Sequence, residues 1–535
     1  MLCSSEINLF WSLFALQHAF KLELIDLHHS QRLIGIPDLL DAPLLEIINL
    51  ECCKSLLDVP SSIQYLDNLH VLNLHGCESL RNFPMNIHFK SLKTLRLSEC
   101  INLTKFPQIS GDRIEQLYFS GSAIEEVPSS IQYIKSLRVV ILSECENLRT
   151  FESNIHFESH VNLNLSYCIN LTKFPQISGN VVDLNLSGTA IEEIPSSIDC
   201  LTELHSLYLE DCTRLKSISS SICKLKSLSK LDLGGCKKLQ SFPEILEKME
   251  HLEYLSLCRA TAIKELPSSI EGLNGLRRLR MRDCKNLETI PSSICNLTSL
   301  IEIDAYGCLK LNKLPENLVH LKTLNLRETA ISQLPSCIPS WKGIEYLDCS
   351  NCRGLILPPL SSLCSLTTLY LPLCNLTEIP DDLCNLTSLE TLDLSGNNFK
   401  NLPSGIKQLS RLNDLYLSNC NMLQSVPELP LSLRFLEANN CKMLHSLPEP
   451  PSSLNELDAS ESETAYEQFT IFSWITIEFI FTNCLSLNQK AYNNILENIA
   501  SLRLCYEKVI LSHTTLFLFL LICLIRNDEF HVTGI

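Results

Sequence analysis

The 535-residue sequence lacks every short motif that would build a nucleotide- or bond-breaking centre. It has no G-x-x-x-x-G-K-[ST] phosphate loop, no G-x-G-x-x-G, no H-E-x-x-H and no G-x-S-x-G. It also lacks a basic excess. Lys and Arg number 43 against 60 Asp and Glu, a net charge of −17, which argues against nucleic acid as a partner because phosphate contacts need a basic surface. Membrane-spanning length is missing as well: the apolar run Leu516–Ile525 has ten residues, where a span needs about 20. Extending it back through Val509 admits Ser512, His513, Thr514 and Thr515. Near the start, the apolar stretch Leu9–Leu16 has no basic flank, is preceded by Glu6 and is followed by no convincing cleavage site, so no secretory leader is expected. His28-His29 is the only histidine pair, and no third ligand stands at metal spacing. These absences lead us to expect no enzyme, no cofactor and no metal, and no membrane or nucleic-acid partner.

What the sequence has is a period. A block of the form L-x-x-L-x-L-x-x-C returns about every 23 residues, as in Leu92-Lys-Thr-Leu95-Arg-Leu97-Ser-Glu-Cys100 and Leu228-Ser-Lys-Leu231-Asp-Leu233-Gly-Gly-Cys236. Its last apolar position can be followed from Leu27 and Leu50 through Leu209, Leu233 and Leu257 to Leu417, Ala438 and Ala459, about twenty units. Within each block alternate residues point inward and the others outward, so each unit supplies one short strand. A second pattern follows, L-x-x-[LIVF]-P-x-x-[IL], as in Leu56-Leu-Asp-Val-Pro60-Ser-Ser-Ile63 and Leu287-Glu-Thr-Ile-Pro291-Ser-Ser-Ile294. Proline fixes its own φ and cannot donate to a ladder, so it suits a return segment without a regular helix. The period and signature are those of leucine-rich repeats. The expected fold is an α/β-type leucine-rich-repeat solenoid of about twenty repeats, with a curved parallel β-sheet on the concave face and an irregular or 3-10 convex side.

The 26 cysteines suggest a disulfide framework at first. Thirteen of them, however, stand three residues after the last apolar strand position: Cys53, Cys77, Cys100, Cys145, Cys168, Cys212, Cys236, Cys284, Cys308, Cys352, Cys374, Cys420 and Cys441. Ser122, Thr189, Thr329 and Asn397 take the same place elsewhere. A site that accepts Cys, Ser, Thr and Asn calls for a small side chain able to hydrogen-bond near a backbone bend. A buried ladder of free thiols in a reducing compartment is the expectation. The N-x-[ST] triplets at Asn102, Asn170, Asn296, Asn375 and Asn385 read as by-products of the repeat rather than as glycosylation sites.

Scaffold residues so defined leave the outward positions to carry specificity. Tyr118, Tyr208, Tyr370 and Tyr416 recur at one such position, and tyrosine is enriched in interface cores. Arg278, Arg280 and Arg282 alternate along one expected strand, with Arg259 in the unit before, Tyr306 in the unit after and Arg327 beyond it. These ten residues form the expected partner-binding set. The competing reading of the arginines is cross-strand pairing with Glu302 and Asp304.

A longer duplication is also present. Ile87-His-Phe-Lys-Ser91 recurs as Ile155-His-Phe-Glu-Ser159, and Cys100 to Gly111 recurs as Cys168 to Gly179, an offset of 68 residues or three units. Full units alternate with shorter ones such as Leu184-Asn-Leu-Ser-Gly-Thr-Ala-Ile-Glu-Glu-Ile-Pro195 and Leu324-Asn-Leu-Arg-Glu-Thr-Ala-Ile-Ser-Gln-Leu-Pro335. In this alternation residues 21–460 resemble the repeat domain of plant TIR-type nucleotide-binding leucine-rich-repeat disease resistance proteins. Phe481-Thr-Asn-Cys484-Leu-Ser-Leu487 is similar to the opening of the β-rich domain that follows the repeats in that family. The expected organisation is an N-terminal flank or cap at 1–20, the solenoid at 21–460, the start of a truncated post-repeat domain at 461–505 and an apolar tail at 506–535, a disordered segment or gene-end artefact. The resemblance implies a protein-recognition module of innate immunity that senses a pathogen effector or makes regulatory contacts within a receptor, in the cytoplasm with the nucleus also open. The family's NAD-cleaving and nucleotide-switching segments are not in this sequence, so neither activity is carried over. Two other readings stay open: a stand-alone repeat scaffold or decoy that binds host signalling proteins, and an extracellular repeat receptor.

Overall fold

Leucines alternate with polar residues in each block, so a chain that buries the first set must extend there. The computed structural model describes residues 21–152, 154–335 and 341–448, with the backbone of the strand Glu478–Ile480. All nineteen units from the one ending at Leu27 to the one ending at Ala438 form a strand immediately before the last apolar position, and no α-helix occurs among the described residues. The unit expected at Ala459 lies outside the described residues. The parallel solenoid with 3-10 returns is therefore as expected, with little helix of any kind.

The chain divides into two compact units, Met1–Arg280 and Met281–Ile535. In the first, the sheet strands run from Leu24–Asp26 to Arg278–Arg280 and neighbouring pairs are parallel, with an unbroken register in the last of them: Ser206 faces Lys230, Lys230 faces Tyr254 and Tyr254 faces Arg278. In the second, strands run from Glu302–Asp304 through Phe435–Glu437, which then pairs in parallel with Glu478–Ile480. The middle residue of each three-residue strand up to Phe435–Glu437 points inward, and Leu207, Leu255, Leu369 and Leu415 are fully buried. Each such leucine contributes roughly 2 kcal/mol by leaving water, but only because the units on either side cover it.

The return segments follow from the proline motif. Pro60, Pro128, Pro195 and Pro267 in the first unit, and Pro291, Pro380 and Pro403 in the second, stand in extended backbone just before a five-residue 3-10 helix. At the unit without proline, Ser219 takes the place and its side chain accepts the Ser221 N–H at 3.2 Å. The isoleucine or leucine three residues on is buried in each case, for example Ile63, Ile198 and Leu383. The motif thus turns the chain and plugs the back of the core in one step.

The duplicated segment keeps its pairing. Ile87–His88 pairs with Ile109–Ser110, and 68 residues later Ile155 pairs with Ile177 and His156 with Ser178. In the second copy His160 replaces the inward leucine equivalent to Leu92, and buried Val161, one residue on, fills the core instead. The shift puts Val161, Leu163 and Leu165 on one parity. A single long strand, Ile155–Asn164, replaces two short ones, with register breaks in its pairing to Ile177–Asn185.

The cysteine ladder was expected to be buried and locally bonded, and it is. All thirteen ladder cysteines are at most 1% exposed. Twelve thiols donate to the carbonyl of the last strand position of the preceding unit: Cys77 to Leu50 at 3.2 Å, Cys100 to Leu74 at 3.3 Å, Cys236 to Leu209 at 3.2 Å, Cys308 to Met281 at 3.0 Å and so on. The same carbonyl also takes its own unit's ladder N–H, as Leu74 does from Cys77 at 3.2 Å, so both its lone pairs are used. The described cysteines are free thiols. Burial pushes thiols of the ladder up, to about 11 at Cys53, Cys212 and Cys420 and about 12 at Cys100 and Cys374, whereas the bond to Cys349 lowers Cys352. Two results are expected. Native protein at pH 8 should be alkylated by iodoacetamide at exposed Cys200 and Cys364 while the ladder stays unmodified by peptide mapping, because the thiolate is the nucleophile. Stability should also fall at alkaline pH. Below pH 9 the thiols are neutral in both states and their burial contributes fully. Above it the unfolded chain ionises while raised thiols such as Cys53 and Cys212 do not, so the urea midpoint should drop progressively from pH 9 to about 11.

One feature of the block went unread in the sequence. Two residues after the last apolar position, every one of the nineteen units turns through positive φ. Glycine takes the place at Gly76, Gly121, Gly188, Gly235, Gly307 and Gly396, but Glu99, Asp211, Asn351 and even Tyr167 and Leu373 take it elsewhere. The N–H at this position bonds the next unit, as Leu373 does to the Ser395 carbonyl at 2.9 Å, which holds the backbone in a strained region. Leu373 is 56% exposed, so its side chain gains little from burial. Leu373→Gly is expected to stabilise by about 1 kcal/mol, the relief of left-handed strain outweighing the added chain entropy, read as a higher urea midpoint.

Candidate functional site

The register that stacks the leucines also stacks the outward residues into two columns, one for the first and one for the third residue of each strand. Tyr118 and Tyr208 in the first unit, and Tyr370 and Tyr416 in the second, all lie in the third column and are half-buried. In the first unit Tyr208 is joined by residues the sequence reading did not single out. The Lys230 ammonium sits 4.6 Å from the Tyr208 ring centre and 5.2 Å from that of Tyr254, and the Arg280 guanidinium is 5.8 Å from Tyr254. Lys230 faces Tyr254 directly across one strand pair and reaches Tyr208 diagonally across the other. Each cation over a ring is worth about 0.5–1 kcal/mol at a wet surface, enough to hold the four side chains in one array. Tyr118 has a similar neighbour in Arg96, 5.2 Å from its ring centre.

The arginines are not the single strand-borne row expected from their alternation. Arg278 begins and Arg280 ends the last strand of the first unit, exposed and half-buried respectively. Arg259 lies off the strands, in a left-handed turn, where it ion-pairs with Glu210 at 3.2 Å and Asp211 at 3.5 Å. In the second unit Arg282 belongs to the turn that follows the strand position, and its guanidinium is taken by the buried carboxylate of Asp304. Arg327 stands 5.7 Å from the Tyr306 ring centre and 3.6 Å from the Glu328 carboxylate. Two-residue alternation carried the sequence reading past the end of the strand. Once the chain enters the turn, parity no longer fixes the direction of a side chain.

The second unit has a different character. Tyr346 and Tyr370 meet edge to face at 5.8 Å, and Tyr416 and Phe435 stand tilted at 5.1 Å. Carboxylates surround them. Burial and then the charges of Asp393, Asp348 and Asp414 push the Tyr370 hydroxyl up, and burial followed by Asp348 does the same to Tyr346. Burial also raises Asp393, although its carboxylate accepts the Ser395 N–H at 2.9 Å. This face is aromatic and acidic, whereas that around Tyr208 is aromatic and cationic. Lys230, Tyr254, Tyr346 and Phe435 were legible in principle. The first column has the same outward parity as the third, but its tyrosines, Tyr254 and Tyr346, are two against the third column's four.

Other candidates resolve as scaffold. The Asn102 and Asn170 side chains donate to the Glu78 and Glu146 carbonyls of the preceding units, both at 2.7 Å. His28 contacts Asp26 at 2.7 Å, and both histidines of the pair are exposed. Buried Cys349 bonds Cys352 inside the core, which with burial pushes the Cys349 thiol up. No described helix is long and apolar enough to cross a membrane.

The repeat geometry has a matching family. Residues 224–330 match the family described as "Disease resistance protein RPS4B-like, leucine-rich repeats", and residues 364–423 match "Leucine rich repeat". The chain carries leucine-rich repeats like those of plant disease resistance proteins. Disease resistance protein RPS6 of Arabidopsis thaliana is 39% identical over 36% of this chain and 21% of its own length. SUPPRESSOR OF npr1-1, CONSTITUTIVE 1, from the same plant, is 36% identical over 34% of this chain and 12% of its own length, and disease resistance protein RPP5 is 31% identical over 38% and 15%. The chain thus spans about a fifth or less of these relatives. Similar solved structures include an LRR protein of Leptospira interrogans (19% identity, 91% of this chain and 97% of that one, TM-score 0.36) and the Drosophila Toll–Spatzle complex (16%, 80% and 62%, TM-score 0.47).

Proposed function

We propose that this leucine-rich-repeat region is a protein-recognition surface of plant innate immunity. It senses a pathogen effector, or makes regulatory contacts within a receptor of the disease-resistance type, from the outward columns of its sheet. The observation that carries the reading is the array Tyr208, Lys230, Tyr254 and Arg280. Four large side chains are held half-buried and pre-ordered on a scaffold that has no use for them, and pre-ordering lowers the entropy cost of binding. Its charge suits an acidic protein segment. Similarity to RPS6 and RPP5 supports a role in defence. The buried free thiols support a reducing, cytoplasmic setting, and the absence of catalytic motifs supports recognition rather than catalysis.

Affinity capture from infected and uninfected plant tissue, read by quantitative mass spectrometry, tests the proposal. Enrichment of a pathogen protein from infected tissue alone is expected. Recovery of the same host signalling proteins from both tissues would turn the reading to a scaffold, and recovery of nothing above background would end it.

A further inference from the structure

We propose that Glu51, Cys52 and His75 form a site for one divalent cation of the zinc class. A carboxylate oxygen of Glu51, the Cys52 thiol and a ring nitrogen of His75 lie within 4.8 Å of one another, and all three residues are half-exposed. They come from equivalent turns of two neighbouring units: Glu51 and Cys52 follow Leu50, and His75 follows Leu74. Among the described residues Cys52 is the one cysteine at the left-handed turn position, with φ of 57°. The next unit has Gly76 there, and a Cβ on Gly76 would stand 3.0 Å from the Cys52 sulfur, so glycine is what leaves the thiol its room.

A further side chain holds the set in place. Buried Asn73 donates its amide to the Glu51 carboxylate at 3.0 Å, and its oxygen accepts the His75 backbone N–H at 3.1 Å. Its amide also reaches the Asn49 oxygen at 2.9 Å, which ties it to the ladder. The Glu99 carboxylate lies 3.9 Å from Nε2 of His75, close enough to orient the ring and add negative charge. Zinc takes sulfur at about 2.3 Å and nitrogen or oxygen at about 2.0–2.2 Å. The ligand atoms need close by only about 1 Å, a movement within reach of side-chain torsions on a fixed backbone. On binding, the Sγ–metal bond forms as the thiol proton leaves to solvent, and the exposed side leaves a fourth position to water. The sequence concealed the set because its ligands are 23 to 24 residues apart and meet only through the repeat.

The test uses the full chain, stripped with a chelator and titrated with Co(II). One equivalent should produce a thiolate-to-cobalt charge-transfer band that Zn(II) then abolishes by displacement. Cys52→Gly should remove the band while leaving the circular dichroism unchanged, since glycine takes the same turn position in six other units. His75→Ala and Glu51→Gln should each weaken Co(II) binding at least about 10-fold. A folded wild-type protein without the band, a Cys52→Gly variant with the full band, or an affinity untouched by His75→Ala would overturn the site.

Discussion

Asn397→Leu is expected to destabilise the second unit by about 3 kcal/mol, whereas Asn397→Cys at the same place should cost about 1 kcal/mol. Asn397 is the most heavily bonded residue of the ladder position. Fully buried, it donates to the Leu371 and Leu394 carbonyls at 2.9 and 2.8 Å and accepts the Leu376 N–H at 3.0 Å. Leucine has a similar volume but leaves these backbone groups without that partner in the core, at about 1–3 kcal/mol for a buried unsatisfied group. Cysteine keeps the bond that matters between units. In twelve other places a thiol reaches the preceding unit's carbonyl, as Cys420 reaches Leu394 at 3.3 Å. Neighbouring units stabilise one another in a solenoid, so the loss should spread. Faster hydrogen exchange is expected in Thr368–Tyr370 and Asp414–Tyr416 as well as in Thr391–Asp393, with a lower urea midpoint. Equal costs for the two substitutions would show that the ladder is packing alone.

The double reversal Lys230→Glu with Arg280→Glu is expected to reduce partner capture by at least about 30-fold, the effect of losing about 2 kcal/mol at an interface centre. Both cations lie over Tyr254, and Lys230 also lies over Tyr208, so reversal removes the charge and releases both rings. Reversal at Lys224, on a return-segment 3-10 helix and paired with Asp199 at 2.9 Å, is the matched control and should change capture less than about threefold. Salt separates the contributions. Wild-type association should slow as ionic strength rises and that of the double variant should not, because exposed charges act mainly on the encounter rate.

Particular residues show how much of this was legible. The strands before Leu27 through Ala438 could be placed from leucine spacing alone, because burial of alternate residues leaves one pattern that stacks. The ladder cysteines were legible for the same reason: a place shared by Cys, Ser, Thr and Asn has few physical explanations. Arg282 was misplaced because the left-handed turn at Asp283 begins where alternation ends. That turn was itself hidden, since Glu99, Tyr167 and Leu373 take a conformation usually signalled by glycine and are held there by bonds to the next unit. Lys230 and Tyr254 were hidden as a pair because 24 residues separate them, and only the register makes them neighbours. Contacts within a unit could thus be read from the sequence, while contacts between units needed the structure.

Hydroxyl-radical footprinting of the partner-bound protein tests the central claim most directly, because the molecule has its own controls. Tyr65 and Tyr133 end return-segment 3-10 helices and are 64% and 73% exposed, while Tyr208 and Tyr254 stand on the outward columns of the sheet. Recognition through the sheet predicts that a captured partner protects Tyr208 and Tyr254 from oxidation and leaves Tyr65 and Tyr133 as reactive as before. Protection of Tyr65 and Tyr133 with Tyr208 and Tyr254 unchanged would place the interface on the return segments and contradict the account.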